Sequence, residues 1–80
     1  MKRGSLWLWR RPHRAELPVR ALGESYGDDK TFVVDALGIR WIAYLSELHA
    51  PTDRDMARFE PEIDLSKRSP HPRRLVFGGE

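Results

Sequence analysis

The chain contains no cysteine, no asparagine and no glutamine. Without thiols there is no disulfide, no thiolate metal site and no cysteine nucleophile. The missing amides are thermally labile side chains that thermophile proteins tend to lack, although a GC-rich genome produces the same bias. Long apolar runs are absent too: stretches such as Phe32-Val33-Val34 and Trp41-Ile42-Ala43-Tyr44-Leu45 fall far below the ~18 residues that span a bilayer. No membrane association is expected. The start, Met1-Lys2-Arg3-Gly4-Ser5, is basic, but Leu6-Trp7-Leu8-Trp9 is too short for a secretory apolar region and Arg10-Arg11 closes it with charge. A cytoplasmic location is the matching expectation.

The spacings that mark common chemistries are also missing. His13, His49 and His71 form no pair at metal-ligand spacing. Counting from Asp53, a calcium loop would need Gly at the sixth position and Glu at the twelfth, where this chain has Arg58 and Asp64. Gly23 and Gly27 are not followed by the Lys-Ser/Thr of a phosphate loop. Ser46, Glu47 and His49 lie on one short segment, where a nucleophile, base and orienting acid rarely converge. The expectation is a protein without catalytic residues, metal or cofactor.

Eighty residues, 40% hydrophobic and 32% charged, make one small domain with a limited core. The net charge of +2 hides an uneven distribution. Residues 1–20 carry six basic groups against Glu16, residues 21–66 carry four against ten acidic ones, and residues 67–80 carry four against Glu80. Basic ends around an acidic middle can attract phosphate or pair unlike surfaces.

Leu6 and Leu8 alternate with Trp7 and Trp9, so a strand is expected from Ser5 to Arg11, apolar on both faces. It is covered on two sides, or its tryptophan face meets a partner. Pro12 ends it, and Leu17–Leu22 reads as a second strand with Pro18 near its start. Gly23–Lys30 reads as a flexible turn, and Thr31–Asp35 is the clearest strand. Residues 36–48 fit two patterns. As a hairpin, Ala36-Leu37-Gly38 turns and Ile39, Trp41, Ala43 and Leu45 share one face, with Arg40, Ile42, Tyr44 and Ser46 on the other. As a helix, Leu37, Trp41, Tyr44, Leu45 and Leu48 form a stripe. Gly38 and the strand-favouring Ile39, Trp41, Ile42 and Tyr44 weight the hairpin, with Ser46-Glu47-Leu48 as one helical turn after it. Thr52-Asp53-Arg54-Asp55 caps a short helix at about 53–60, which Pro61 should break. The domain is expected to span 1–65. Residues 66–80 read as a basic, proline-containing tail in which Leu75-Val76-Phe77 can add an edge strand.

From Lys2-Arg3-Gly4-Ser5 through the hairpin to Ser46-Glu47-Leu48-His49-Ala50-Pro51, the pattern resembles the small SH3-like barrels, Tudor- and KOW-type domains among them, whose last strand runs into a Glu-Leu-x-x-Pro turn. The resemblance covers residues 3–51 and implies a mainly β, SH3-like barrel of about five strands, with one short helix and the basic tail beyond it. Such barrels bind rather than catalyse. Lys2-Arg3-Gly4-Ser5-Leu6-Trp7-Leu8 is also similar to the opening of MazF-type toxin ribonucleases, which continue to an Arg-Pro pair such as Arg11-Pro12, with Ser5 where that family has Asp.

Trp7 and Trp9 interleave with Arg3, Arg10, Arg11 and Arg14. Such a cluster suits RNA or DNA: arginines hold phosphates while an aromatic face stacks a base for about 1–3 kcal/mol. On this reading Arg3, Arg10, Arg11, Arg14, Lys67, Arg68, Arg73 and Arg74 contact phosphate and Trp7 or Trp9 stacks. The alternative is a protein partner, docking on the Trp7/Trp9 face or the Ile42/Tyr44 face. The MazF-like ribonuclease, with Arg11 essential for cleavage, comes third. Trp7, Trp9, Tyr26, Phe32, Trp41 and Tyr44 also supply rings for an aromatic cage around a methylated amine. Since a chain this short without disulfides is marginal alone, a homodimer is an open alternative to a monomer.

Overall fold

The structure, a computed structural model, describes residues 1–68. The alternating segments form five strands, β1 Leu6–Trp9, β2 Leu17–Tyr26, β3 Lys30–Asp35, β4 Arg40–Tyr44 and β5 Leu48–His49. A 3-10 turn, Leu45–Glu47, joins the last two, and the helices α1 Asp53–Arg58 and α2 Glu60–Arg68 follow. All pairings are antiparallel, in one sheet ordered β4-β3-β2-β1-β5. The fold is mainly β, and residues 36–48 take the hairpin form.

The barrel expectation needs correction, because the ladder is not closed: β4 and β5 are its two edges. β5 is only two residues long and Pro51 follows closely, so it has pairing length for β1 alone. The sheet nevertheless curls. Strands three places apart in a flat sheet lie roughly 14 Å apart, yet the ring centroids of Trp9 on β1 and Trp41 on β4 are 5.7 Å apart, edge to face. The concave face holds the core of Trp9, Val19, Val33, Ala43 and Leu48, bordered by Trp7, Leu17 and Trp41.

The opposite face of β1 and β2 is covered as well. Leu8, Leu22 and Val34 are buried there, and α2 packs on β2 with Ile63 and Ser66 inside. Arg20 Nε donates to Ser66 Oγ at 3.0 Å, and a second guanidinium nitrogen donates to the Gly4 carbonyl at 3.0 Å. Both apolar faces of β1 are thus inside, the first of the two options its sequence left open.

Two boundaries differ from expectation, each through a residue that usually breaks an element. Gly23 does not open a turn. β2 runs on to Tyr26, its register against β3 shifts between Ala21 and Ser25, and Gly23 sits within that shift at φ +78°. A glycine at a bulge lets a strand bend without ending it, and a Cβ there would meet Arg3 Cβ at 3.2 Å. The turn comes later, at Gly27-Asp28-Asp29. The short helix does end before Pro61, at Arg58, but a second helix follows that the sequence pattern does not predict. α2 starts at Glu60, so Pro61 falls in a first turn, where a missing N–H costs nothing. Helix therefore extends past residue 65 to Arg68, into the expected tail, while the edge strand at Leu75-Val76-Phe77 lies outside the described residues.

Asp35 fixes the β3-β4 turn. Its buried carboxylate accepts from the backbone N–H of Leu37 and of Ile39 and from Trp41 Nε1, each at 2.9 Å. Removing it orphans three donors. Asp35→Ala is expected to cost about 2–4 kcal/mol in urea unfolding, with Asp35→Asn intermediate; a cost below about 0.5 kcal/mol, as for an ordinary surface change, contradicts this role.

The Thr52-Asp55 capping box starts α1, with Thr52 N–H donating to the Asp55 carboxylate at 3.0 Å and Asp55 N–H donating to Thr52 Oγ1 at 3.2 Å. The Thr52 N–H, chiefly, holds the Asp55 carboxyl below its ordinary pKa against the opposing effect of burial, with smaller help from the Thr52 hydroxyl, Arg10 and Arg58. A lowered folded pKa adds stability above the unfolded value of about 3.9 and loses it as pH falls through the folded value. Unfolding free energy measured against pH should therefore drop on the acid side more steeply for the wild type than for Asp55→Ala. Parallel curves would contradict the assignment.

Candidate interaction surface

The tryptophans of the β1 cluster pack on the core, while Arg3, Arg10 and Arg14 lie at the surface. Trp9 is 4% exposed. Its ring meets Trp41 on one side, the Arg11 guanidinium lies 4.4 Å from its centroid, and its N–H donates to Glu47 Oε1 at 3.1 Å. No face remains for a base. Trp7 is half-buried against the same core, its N–H donating to Ser5 Oγ at 2.9 Å.

The arginines are engaged in three ways. Arg10 pairs with Glu16 at 2.6 Å and reaches Asp55 at 4.0 Å, while Glu16 also pairs with Arg58 at 3.1 Å, tying the β1-β2 loop to α1. Arg11 stacks over Trp9 and Trp41, and its buried Nε has no acceptor among the described residues. Arg3 donates to the Leu22 carbonyl at 3.2 Å. Arg14 is exposed, with no side-chain hydrogen bond or ion pair to the described residues. Lys67 is exposed beside Asp64 at 3.9 Å. Arg68 is described in its backbone alone, and Arg73 and Arg74 lie outside the described residues. The structure thus brings Trp9, Arg10 and Arg11 together around the core and its loop, not along an open groove.

The open apolar surface is elsewhere, on the convex side of β3 and β4. α2 packs on β2, and here the pairs Lys30 with Tyr44 and Phe32 with Ile42 stand side by side, while Val34, opposite Arg40, is buried. Tyr26, across from Lys30 on β2, extends the row. Tyr26 is 51% exposed, Tyr44 47% and Ile42 44%. Tyr26 and Phe32 meet edge to face at 5.7 Å. Lys30 Nζ lies 4.9 Å from the Tyr44 ring centroid and the Arg40 guanidinium 4.9 Å from that of Phe32. Leu37, in the turn, and Ile39 and Leu45, just before and after β4, are also exposed.

The sequence placed Arg40, Ile42 and Tyr44 on one face by their alternation with Trp41 and Ala43, but did not bring Lys30 and Phe32 beside them. Their placement follows from the register between β3 and β4, which a linear pattern does not contain. The other rings proposed for a cage are divided by the sheet: Trp7, Trp9 and Trp41 line the concave face, Tyr26, Phe32 and Tyr44 the convex one. They do not surround one pocket.

β4 also has a free edge among the described residues. Asp35 N–H donates to Ile39 O at 3.0 Å and Leu45 N–H to Asp29 O at 2.8 Å, so the odd-numbered residues of this segment face β3. By the alternation of an antiparallel ladder, the N–H and C=O of Arg40, Ile42 and Tyr44 point outward.

Among the described residues no cluster of His, Cys, Asp or Glu could hold a metal ion, and no helix is long and apolar enough to cross a membrane. No protein-family model, curated protein or solved structure matches the chain.

The contrast between the enclosed Trp9 and the open surface is measurable. Trp9→Phe removes the bond to Glu47 and part of a buried ring, and should cost about 1–3 kcal/mol in denaturant unfolding, against less than about 1 kcal/mol for Tyr44→Ala. Equal losses would contradict it.

Proposed function

We propose that this chain is a non-catalytic protein-interaction module that docks through the convex β3-β4 face, around Ile42 and Tyr44. The observation that carries this reading is the exposure of Tyr26, Ile42 and Tyr44 on one sheet face. Tyrosine and arginine amid aliphatic side chains are what protein interfaces concentrate at their centres. Exposed apolar and aromatic side chains grouped on one face, rather than scattered singly, mark interaction sites.

Nucleic-acid binding by the β1 cluster has less support, since Trp9 is enclosed, Arg10 is paired and Arg11 is stacked on the core. The ribonuclease reading has least: Arg11 of the Arg11-Pro12 pair covers Trp9 and Trp41, and Ser5 holds the Trp7 indole. For the fold, an opened variant of the SH3-like barrel is supported by the return of β5 to β1, the 3-10 turn before it and the curl about a tryptophan core.

Two measurements separate the readings. Affinity capture compared between the wild type, Ile42→Glu and Arg14→Glu should give partners lost with Ile42→Glu and kept with Arg14→Glu. Anisotropy titrations with single-stranded RNA and duplex DNA at about 50 and 200 mM salt should show no tight complex. Nucleic-acid binding that falls at least about tenfold over that salt range, survives Ile42→Glu and fails in Arg14→Glu would overturn the proposal.

A further inference from the structure

An exposed strand edge is a template for another strand, and proteins usually blunt it with proline, a bulge or a charge near its middle. β4 has none of these: it reads Arg40-Trp41-Ile42-Ala43-Tyr44, pairs with β3 in unbroken register, and carries its single charge at one end. The other edge, β5, is two residues long. β4 is therefore the edge on which another strand can be added.

A second β4 fits this edge. The outward-facing residues Arg40, Ile42 and Tyr44 are spaced evenly about Ile42, so an antiparallel pairing across a two-fold axis at Ile42 sets the N–H and C=O of Ile42 against those of its copy, and the Tyr44 N–H against the Arg40 C=O. The Tyr44 C=O already accepts within the 3-10 turn. In that register Ile42 meets Ile42 of the second copy and exchanges both backbone bonds with it, and Arg40 meets Tyr44 of the second copy, a cation against an aromatic ring. Ile39 and Leu45, both exposed in the single chain, fall opposite each other. No like charges are opposed, and cross-strand pairs of these kinds are favourable. Such an interface is isologous and closes after two subunits.

We infer that the chain self-associates through its β4 edge, as an antiparallel dimer centred on Ile42 whose sheet is continuous through both copies. The inference rests on the interaction-module reading and names its partner as a second copy of this chain.

The self-pairing of position 42 provides the test. Ile42→Lys opposes lysine to lysine and Ile42→Glu opposes glutamate to glutamate, while an equimolar mixture opposes unlike charges. In sedimentation velocity of the full chain over a dilution series, the wild type should dissociate reversibly from dimer to monomer. Each variant, its fold checked by circular dichroism, should self-associate at least roughly tenfold more weakly, and the mixture should regain the dimer. Amide hydrogen exchange at Ile42 and Tyr44 should slow as the dimer forms. Variants that dimerise like the wild type overturn the inference, as does a wild type that is monomeric at every concentration. Slow exchange at these two amides in a monomer would mean that the same chain covers its own edge, and would overturn it too. A monomeric wild type whose captured partners are still lost with Ile42→Glu overturns the dimer alone, whereas capture unaffected by Ile42→Glu overturns the interaction module itself.

Discussion

The indole of Trp9 sits where the two ends of the sheet meet. β1 pairs with β2 on one side and β5 on the other, so Trp9 stands across from both Leu17 and Leu48. Its ring reaches Trp41 on β4, its N–H anchors Glu47 in the 3-10 turn, and Arg11 covers it from the loop. One side chain thus holds together four of the segments a short chain must organise. A core with few members needs large ones, and filling it with two tryptophans draws the sheet into its curl. The same burial takes Trp9 and Arg11 out of the inventory available for binding.

What remains for function follows from coverage. A curled sheet has a concave face that its own side chains fill and a convex face that something else must cover. The helical segment here is short and commits to β2, where Ser66 and Arg20 meet. β3 and β4 are left with Phe32, Ile42 and Tyr44 facing outward, and with a strand edge that turns the backbone groups of Ile42 away from the sheet. The cations of this face lie against its rings, so it combines apolar area with directional groups that can select a partner.

Some of this was legible in the sequence. Thr31–Asp35 is β-branched and bounded by turns, and the alternation from Ile39 to Tyr44 gave the correct hairpin because Gly38 and the β-formers outweighed a looser helical stripe. Gly23 opens no turn, and a second helix starts at Glu60 just before Pro61, for one reason: a residue that breaks an element in isolation is tolerated where the element has a bulge or a first turn, and only the three-dimensional register reveals those places. The Arg-Trp cluster shows the deeper limit. Alternation puts Trp7 and Trp9 on one face, but the choice between core and partner depends on what packs above them, and Trp41 and Glu47 are more than thirty positions away in the chain. Likewise nothing in the order of residues says that Arg10 finds Glu16 while Arg14 finds no partner among the described residues.

The account stands on an inside and an outside assignment: Trp9 enclosed, Tyr26 and Tyr44 open. Hydroxyl-radical footprinting of the dilute full chain, read residue by residue by mass spectrometry, tests it most directly. Rapid modification of Tyr26 and Tyr44 with strong protection of Trp9, although tryptophan is intrinsically the more reactive side chain, is the predicted result. Trp9 modified as fast as the two tyrosines would contradict it and return the β1 cluster to the surface.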